Sequence, residues 1–525
     1  MHMPSLKGDG QIQNDIDSDL QEEEPETNSL VSNNGHFLIP DPQYKDISLI
    51  RKLAFIFLII MTQLLTQAFL SQSIIPYHYL ARTFDILDNP GEVSWMSAAF
   101  SLTVGTFILI AGRFGDLLGY KNLYLFSYAN LSIWSILCGI ASYSHSIEFF
   151  DLCRGMQGLS FAISTPNSIA LIGHYFPDGK TKIYSFSMFA AVAPAGMFIG
   201  SLWDSIFVLK STWQWMFYIS GIVSILILIS AYFIIPNNIG TKYNKLTIDM
   251  FDPIGSILGV PGLILINFAF NQGPVVGWEK PYVYILLIIG VLLMILFIIS
   301  EKIVKFPLIP PLNINIILTL ITISAGWSSF GIWFFYLTRF SLDILNQSPI
   351  VVSIQLLPTM LSGLIASLST GFLITKIPAS LIILFAMVCF LIGSVLNAFK
   401  TVGQVYWRQR FLSLLITPFA MDTSFPAGTI LLSKSLPREH QGVAGSLIAT
   451  VVNYSIAIGL GIAGTVEYYT TKHGATELQG IRNAMYTGIG LSGFSIIIAL
   501  FFNLYVFFCW RKTKKLEKTN LNSTV

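Results

Sequence analysis

Apolar runs of about twenty residues, the length an α-helix needs to cross a hydrocarbon layer about 30 Å thick, follow one another along almost the whole chain. About fourteen of them begin near Lys52, Ser94, Asn122, Phe149, Lys182, Gln214, Asp252, Tyr282, Ile316, Pro349, Ala379, Val405, Gly442 and Met485. The pattern predicts an all-α polytopic membrane protein with 14 crossings. Cations decide its orientation. Arg51 and Lys52, Arg113 and Lys121, Lys180 and Lys182, Lys242 and Lys245, Lys302 and Lys305, Lys376, and Lys434 with Arg438 occupy every second loop. Such loops stay in the cytoplasm. An even count then puts both termini there, and the basic tail Arg511, Lys512, Lys514, Lys515 and Lys518 suits an anionic inner leaflet.

Composition sharpens this picture at three points. Only 11% of the 525 residues are charged and 53% are hydrophobic, where a globular domain carries about 25% charged residues. A formal net charge of +2 offers nothing to nucleic acid. Cys138, Cys153, Cys389 and Cys509 lie inside apolar runs at unrelated spacings, as small core packers do, and imply neither disulfides nor a metal site. Residues 1–50, with Asp17, Asp19, Glu22, Glu23 and Glu24, are polar and acidic and read as a disordered cytoplasmic tail, so the first crossing helix must serve as signal.

An internal repeat organises the helices. Ser164-Thr165-Pro166 stands eleven residues before Pro177, and Ser424-Phe425-Pro426 stands eleven before Pro437, so both prolines shift by 260. The same shift carries Lys52 to Leu312 and Asp116 to Lys376. Helices one to six are echoed by nine to fourteen, with seven and eight inserted. The domains expected are 51–240 for the first six-helix bundle, 241–313 for the inserted pair, 314–510 for the second bundle and 511–525 for the basic tail. Two parallel halves around a midplane site are the arrangement that rocks to alternate access.

Several polar residues interrupt the apolar runs. Gly112, Arg113, Asp116, Gly119 and Lys121 place turn glycines and charge between two long runs and read as a gating loop. An ionised side chain at mid-membrane costs at least about 2.5–3.5 kcal/mol, so each one needs a cavity or a partner. Asp422, midway along helix twelve, is expected to take up a proton or meet a cationic substrate; the alternative is a structural pair or hydrogen bonds to Thr423 and Ser424. Arg154 in helix four is a second proton-coupling candidate, with snorkelling as its alternative, and snorkelling is the reading for Arg408 and Arg410. Gln63, Gln67, Asn167, Gln355, Asn453 and Tyr454 are candidates for a substrate cavity, and Trp327, Trp333 and Tyr336 line a pocket or simply pack. Pro194, Gly196 and Gly200 read as helix-packing positions.

The segment Gly112, Asp116, Gly119, Lys121 fits the Gly-x-x-x-Asp-x-x-Gly-x-Lys/Arg signature of the major facilitator superfamily, and Arg154-Gly155-x-x-Gly158 resembles its second signature. Trp213-Gln214-Trp215-Met216-Phe217-Tyr218-Ile219 resembles the aromatic start of helix six in the 14-helix drug:H⁺ antiporter-2 group. Met421-Asp422-x-Ser424-Phe425-Pro426-Ala427, Gln441-Gly442-x-Ala444-Gly445-Ser446-Leu447 and Thr450 to Ser455 are similar to fungal aminotriazole-resistance and boron exporters, with which a fungal ammonium transporter clusters. The resemblance implies the major facilitator fold in a 6+2+6 order and a multi-pass protein of the plasma membrane, or alternatively the vacuolar membrane. It also implies that Asp116 meets the start of helix thirteen around Gln441 and Gly442. Two departures stand out. Helix five has Ala193-Pro194-Ala195-Gly196 where antiporters carry Gly-Pro and paired glycines, and helix one has Gln63 and Gln67 where drug exporters tend to place an acid.

The function expected is secondary transport of a small polar solute by a monomer, as proton-coupled efflux of boric acid, aminotriazole or similar toxic compounds. The alternatives are an ammonium facilitator of the same fold and a transporter-like nutrient receptor. The chain has no phosphate-binding loop and no nucleophile elbow, so neither ATP-driven transport nor an enzyme is expected, and no cofactor or metal is implied.

Overall fold

A computed structural model of the chain describes residues 48–176, 180–237, 252–304, 307–309, 313–435 and 443–523. The first half contains α1 (Leu49–Ser71), the short α2 (Tyr77–Phe84), α3 (Pro90–Leu118), α4 (Tyr120–Ser144), α5 (Ile147–Tyr175), α6 (Lys180–Lys210) and α7 (Gln214–Ile234). The inserted pair is α8 (Pro253–Val276) and α9 (Pro281–Ser300). The second half contains α10 (Ile314–Arg339) with a π-turn at Phe340–Ile344, α11 (Pro349–Gln355), α12 (Leu357–Leu373), α13 (Ala379–Ala398), α14 (Gln409–Ser435), α15 (Val443–Lys472) and α16 (Glu477–Ser523). The expected tail 1–50 falls almost wholly outside the described residues, as do Pro177, Pro437, Gln441 and Gly442.

Local chemistry starts these helices where they start. Asn89 accepts from the Glu92 N–H ahead of Pro90, Ser146 from Phe149, Asn313 from Ile316, and Asp252 from Gly255 ahead of Pro253. Each side chain satisfies a donor that the first helical turn leaves free, and proline loses nothing there because its missing N–H would be unpaired. Twelve helices among the described residues are long and apolar enough to cross a membrane. α5 and α14, of 29 and 27 residues, are long enough but more polar than the rest. They are the two helices that carry Arg154 and Asp422. α16 runs on to Ser523, so residues expected as a separate basic tail continue the last helix.

Packing repeats between the halves. α3 lies against α5, α4 against α5 and α7, and α1 against α6; α12 lies against α14, α13 against α14 and α16, and α10 against α15. The halves meet in two crossings, α3 on α15 and α6 on α12. These crossings exchange if each helix is replaced by its counterpart under the 260-residue shift. Outward faces stay apolar, as lipid requires: on α9, Ile288, Leu292 and Leu296 are exposed. The inserted pair docks through α8, where Asn271 Nδ2 donates to the Ala457 carbonyl at 3.1 Å and Trp278 Nε1 to Thr465 Oγ1 at 3.0 Å.

The expected gating loop is a correction. Residues 112–118 are the last two turns of α3, and the reversal falls on Gly119 alone, at φ 95°. The other two glycines serve close approach. A Cβ on Gly115 would stand 2.0 Å from Asn167 Oδ1, and one on Gly112 would stand 3.4 Å from Ser446 Oγ. Glycine's usual helix penalty, about 1 kcal/mol, is offset by the packing this closeness allows.

Candidate functional site

Asp422 lies where α14 meets the α6–α12 crossing. A Cβ on Gly363 of α12 would stand 2.7 Å from Asp422 Oδ2 and 2.4 Å from Pro194 Cγ of α6, so carboxylate, glycine and proline occupy one spot at the boundary between the halves. Oδ2 is buried and has no hydrogen-bond partner. Ser367 is the carboxylate's polar neighbour on α12, and Thr370 Oγ1 donates to the Asp422 main-chain carbonyl at 3.4 Å. Of the neighbouring hydroxyls expected to satisfy Asp422, that of Thr423 bonds Phe419 and that of Ser424 accepts from Trp327 Nε1. A buried carboxylate oxygen left unpaired is costly unless a proton or a cation arrives.

Arg154 is the opposite case. It is fully buried, which removes the snorkelling alternative. Nη2 donates to the Phe69 carbonyl at 2.6 Å, Nη1 to Gln157 Oε1 at 2.6 Å and Nε to the Met96 carbonyl at 3.3 Å, while the Phe100 ring lies 4.9 Å from the guanidinium carbon. It thereby ties α5 to α1 and α3. Asp204 of α6 completes this region. Sequence reasoning passed it over because it sits near the end of an apolar run beside Trp203, yet it is fully buried, accepts from Ser71 Oγ at 2.9 Å and keeps Oδ1 unpartnered. Arg410, expected to snorkel, is also buried; Nη1 donates to Gln347 Oε1 at 2.7 Å. Arg408 is exposed.

At the end of the bundle where α3 finishes, Asp116 Oδ1 accepts from the Tyr120 hydroxyl at 2.7 Å, and Tyr120 stacks on His174. The contact expected for Asp116 at Gln441 and Gly442 falls outside the described residues. Lys121 caps α7: Nζ donates to the carbonyls of Tyr232 and Ile235 at 2.8 and 2.5 Å and to Asn237 Oδ1 at 2.6 Å. Arg51 donates to the Ile234 carbonyl on the same helix end. Cations at a helix C-terminus complement its dipole, so these charges bind the first half to itself.

The cavity candidates disperse. Gln63 and Gln67 on α1 are half-buried, and the residues after them, Leu64 and Ala68, touch Gly196 and Gly200; a Cβ there would stand 2.2 Å from the Leu64 carbonyl oxygen and 2.5 Å from Ala68 Cα. Asn167 is buried between α3 and α5, donating to the Ile163 carbonyl at 2.6 Å. Asn453 donates to its own helix at Ala449, and Tyr454 turns to the inserted pair, donating to the Leu263 carbonyl at 2.9 Å. Gln355 ends α11, its Oε1 buried and unpartnered. The three aromatics of α10 are buried, with Trp333 Nε1 donating to Ser413 at 2.7 Å and Tyr336 to Glu467 at 2.8 Å. Among the described residues, His, Cys, Asp and Glu do not gather in threes as a metal site needs.

At the opposite end lies a second group that the sequence did not single out. Arg339 pairs with Asp343 at 3.0 Å and with Glu467 at 2.6 Å, all nearly buried. The i, i+4 spacing of Arg339 and Asp343 within an apolar run was its visible signal.

Comparison with known proteins agrees with this geometry. The family description "Major Facilitator Superfamily" matches residues 55–459. The chain is 44% identical over 473 residues to a low affinity ammonium transporter of Saccharomyces cerevisiae, covering 89% of this chain and 91% of that protein. It is 38% identical over 452 residues to the aminotriazole resistance protein of the same yeast, covering 85% and 82%. A POT family transporter crystallised with a thioalcohol-conjugated peptide superposes with a TM-score of 0.64 at 15% identity, over 87% of this chain and 96% of that one, which shows a shared fold. With its matched profile, its relatives and its helical architecture in agreement, the chain belongs to the major facilitator superfamily, within the drug-efflux group, and is a membrane transporter and not an enzyme.

Proposed function

We propose that the chain is a fourteen-helix secondary transporter that moves a small polar solute in exchange for protons, with Asp422 alternately holding a proton and facing the solute. The observation that carries this reading is the unpartnered Oδ2 of Asp422 at the α6–α12 boundary between the halves. A carboxylate so placed changes its solvation whenever the halves rock, and that change couples proton binding to access. Arg154, whose donors already have acceptors, acts as a positioning residue for α1, α3 and α5.

The substrate class is a small nitrogenous base, in line with the names of two relatives, an ammonium transporter and an aminotriazole resistance protein; boric acid is the uncharged comparator. The plasma membrane, with both termini cytoplasmic, is the proposed location. Ammonium facilitation is the second reading, favoured by the 44% identity to the ammonium transporter.

Radiotracer flux in proteoliposomes tests both. Exchange means that an imposed pH gradient drives methylammonium or aminotriazole uphill and that Asp422→Asn loses at least about tenfold of this flux, a change of about 1.4 kcal/mol. Downhill flux indifferent to the gradient and retained in Asp422→Asn would leave facilitation. Absence of flux for both methylammonium and aminotriazole would remove the substrate assignment.

A further inference from the structure

At the end of the bundle where α1 finishes and α3 begins, an ionic cluster joins the two halves. Arg339, at the end of α10, donates from Nε to Asp343 Oδ2 at 3.0 Å and from Nη1 to Glu467 Oε1 on α15 at 2.6 Å. The other Glu467 oxygen accepts from Tyr336 at 2.8 Å, and Glu477 at the start of α16 reaches Nη2 at 3.5 Å. Side-chain exposures are 7% for Arg339, 6% for Asp343 and 1% for Glu467, against 58% for Glu477. So far the cluster belongs to the second half alone.

The first half enters through α2. His78 Nε2 lies 2.6 Å from Asp343 Oδ1, and the Tyr77 hydroxyl donates to the same oxygen. Asp343 is therefore divided, one oxygen held by its own half through Arg339 and the other by the opposite half. It also sits in the π-turn Phe340–Ile344, where the helical ladder widens; such turns are rare and gather at functional sites.

Charge in this group is uneven. Asp343, Glu467 and Glu477 face one guanidinium. His78 is 29% accessible and faces Asp343 and Tyr77 by contact and Glu477 across the cluster. Charge-assisted hydrogen bonds between two packed bodies are made or broken as a set, which gives a bistable closure.

We propose that Asp343 is the catch of a gate at this end of the solute pathway. Tyr77 and His78 grip it to hold the halves together, and Arg339 anchored on Glu467 keeps the catch in position. The inference rests on the alternating-access reading above, so its test measures distance and not flux.

Spin labels are placed at Leu87→Cys, between α2 and α3, and at Val402→Cys, after α13, both exposed at this end. Cys138, Cys153, Cys389 and Cys509 are replaced by alanine, and the protein is reconstituted in lipid. Pulsed dipolar spectroscopy should give a short-distance population in the unmodified gate. Tyr77→Phe and Asp343→Asn should each lower the ratio of short to long distances about fivefold, the effect of one lost hydrogen bond. His78→Gln, which keeps an amide donor at that position, should lower it less. Tyr77→Phe is the deciding variant because it leaves the Arg339–Asp343 pair whole. Correctly inserted Tyr77→Phe protein with unchanged distances overturns the gate even if transport itself is normal.

Discussion

α5 and α14 hold corresponding places in the two halves, each with a proline inside it, Pro166 and Pro426, yet they treat buried charge in opposite ways. The 260-residue shift sets Leu414 at the place of Arg154 and Ala162 at the place of Asp422. Arg154 donates to three acceptors and is sandwiched by Phe100. Asp422 has an oxygen with no partner. A buried charge with every bond made holds helices together; one with a bond missing can only be completed by something that comes and goes. The lesson is that a buried charge on corresponding helices becomes architecture or chemistry according to whether its hydrogen bonds close.

The largest test of that contrast sets Arg154→Ala beside Asp422→Asn. Removing Arg154 strips the Phe69 and Met96 carbonyls of their donor and leaves Asp204 without a nearby cation, a cost of about 3–5 kcal/mol. The variant should unfold well below wild type in a detergent melting assay, whereas Asp422→Asn should melt within about 1 kcal/mol of wild type while losing exchange. Equal melting losses in the two variants would erase the distinction between them.

Next in size is Gly363→Ala. The new methyl would press on Pro194 and on the Asp422 carboxylate at 2.4 and 2.7 Å, an overpacking cost of about 1–3 kcal/mol. Gly371→Ala, with no atom within 4 Å of its Cβ on the same helix, should be silent. Both are read by the fraction of monodisperse protein on fluorescence size exclusion.

The inserted pair extends the contrast to two further incompletely bonded acids. Glu301, just after α9, and Asp252, the N-cap of α8, both reach the point where a Gly255 Cβ would stand, 2.6 and 2.1 Å away. Asp252 Oδ2 and Glu301 Oε1 have no donor. Burial first, and then the bond shared with Asp252, push the Glu301 carboxyl up to about 8 against the opposing Ile309 N–H. A raised folded-state value means that the proton stabilises the fold: the contribution is whole below the ordinary 4.5 and is lost as pH rises through about 8. Because Glu301 is only half-buried, solvent screening reduces this to about 1–2 kcal/mol. Melting temperature should fall between pH 6 and 9, and Glu301→Gln should flatten the curve.

The smallest effect is expected at Asp116. Asp116→Ala removes the Tyr120 hydrogen bond, worth about 1 kcal/mol, and should slow transport without impairing membrane insertion. Normal transport kinetics would reduce that carboxylate to local bracing of the first half.

How much of this was legible depended on period and range. The helices read well because membrane crossing needs long apolar runs, although α2 was missed for being too short and α5 and α14 blend polar positions into theirs. The 112–121 segment misled because glycine and charge mark turns in water-soluble chains, while here the glycines let Asn167 and Ser446 approach. Asp422 was singled out from one line of sequence because it stands midway along its apolar run. Asp204 and the Arg339 cluster were not, since their meaning lies in partners more than a hundred residues away, such as Ser71 for Asp204 and Glu467 for Arg339. The cavity candidates lie dispersed in the fold for the same reason: polarity alone does not say which way a residue on a helix faces.

Sequence by itself determined that this chain lives in lipid, that its motifs repeat at a shift of 260 residues, and that Arg154 and Asp422 are charges in need of an explanation. Those properties follow from composition and spacing, which act locally along the chain. Tertiary structure alone decided that Arg154 is bonded on every side, that Asp422 faces Pro194 across the boundary, and that Tyr77 and His78 close on Asp343. Hydrogen-bond completion is a property of pairs brought together in space, and no reading along one strand of residues can count bonds made by another.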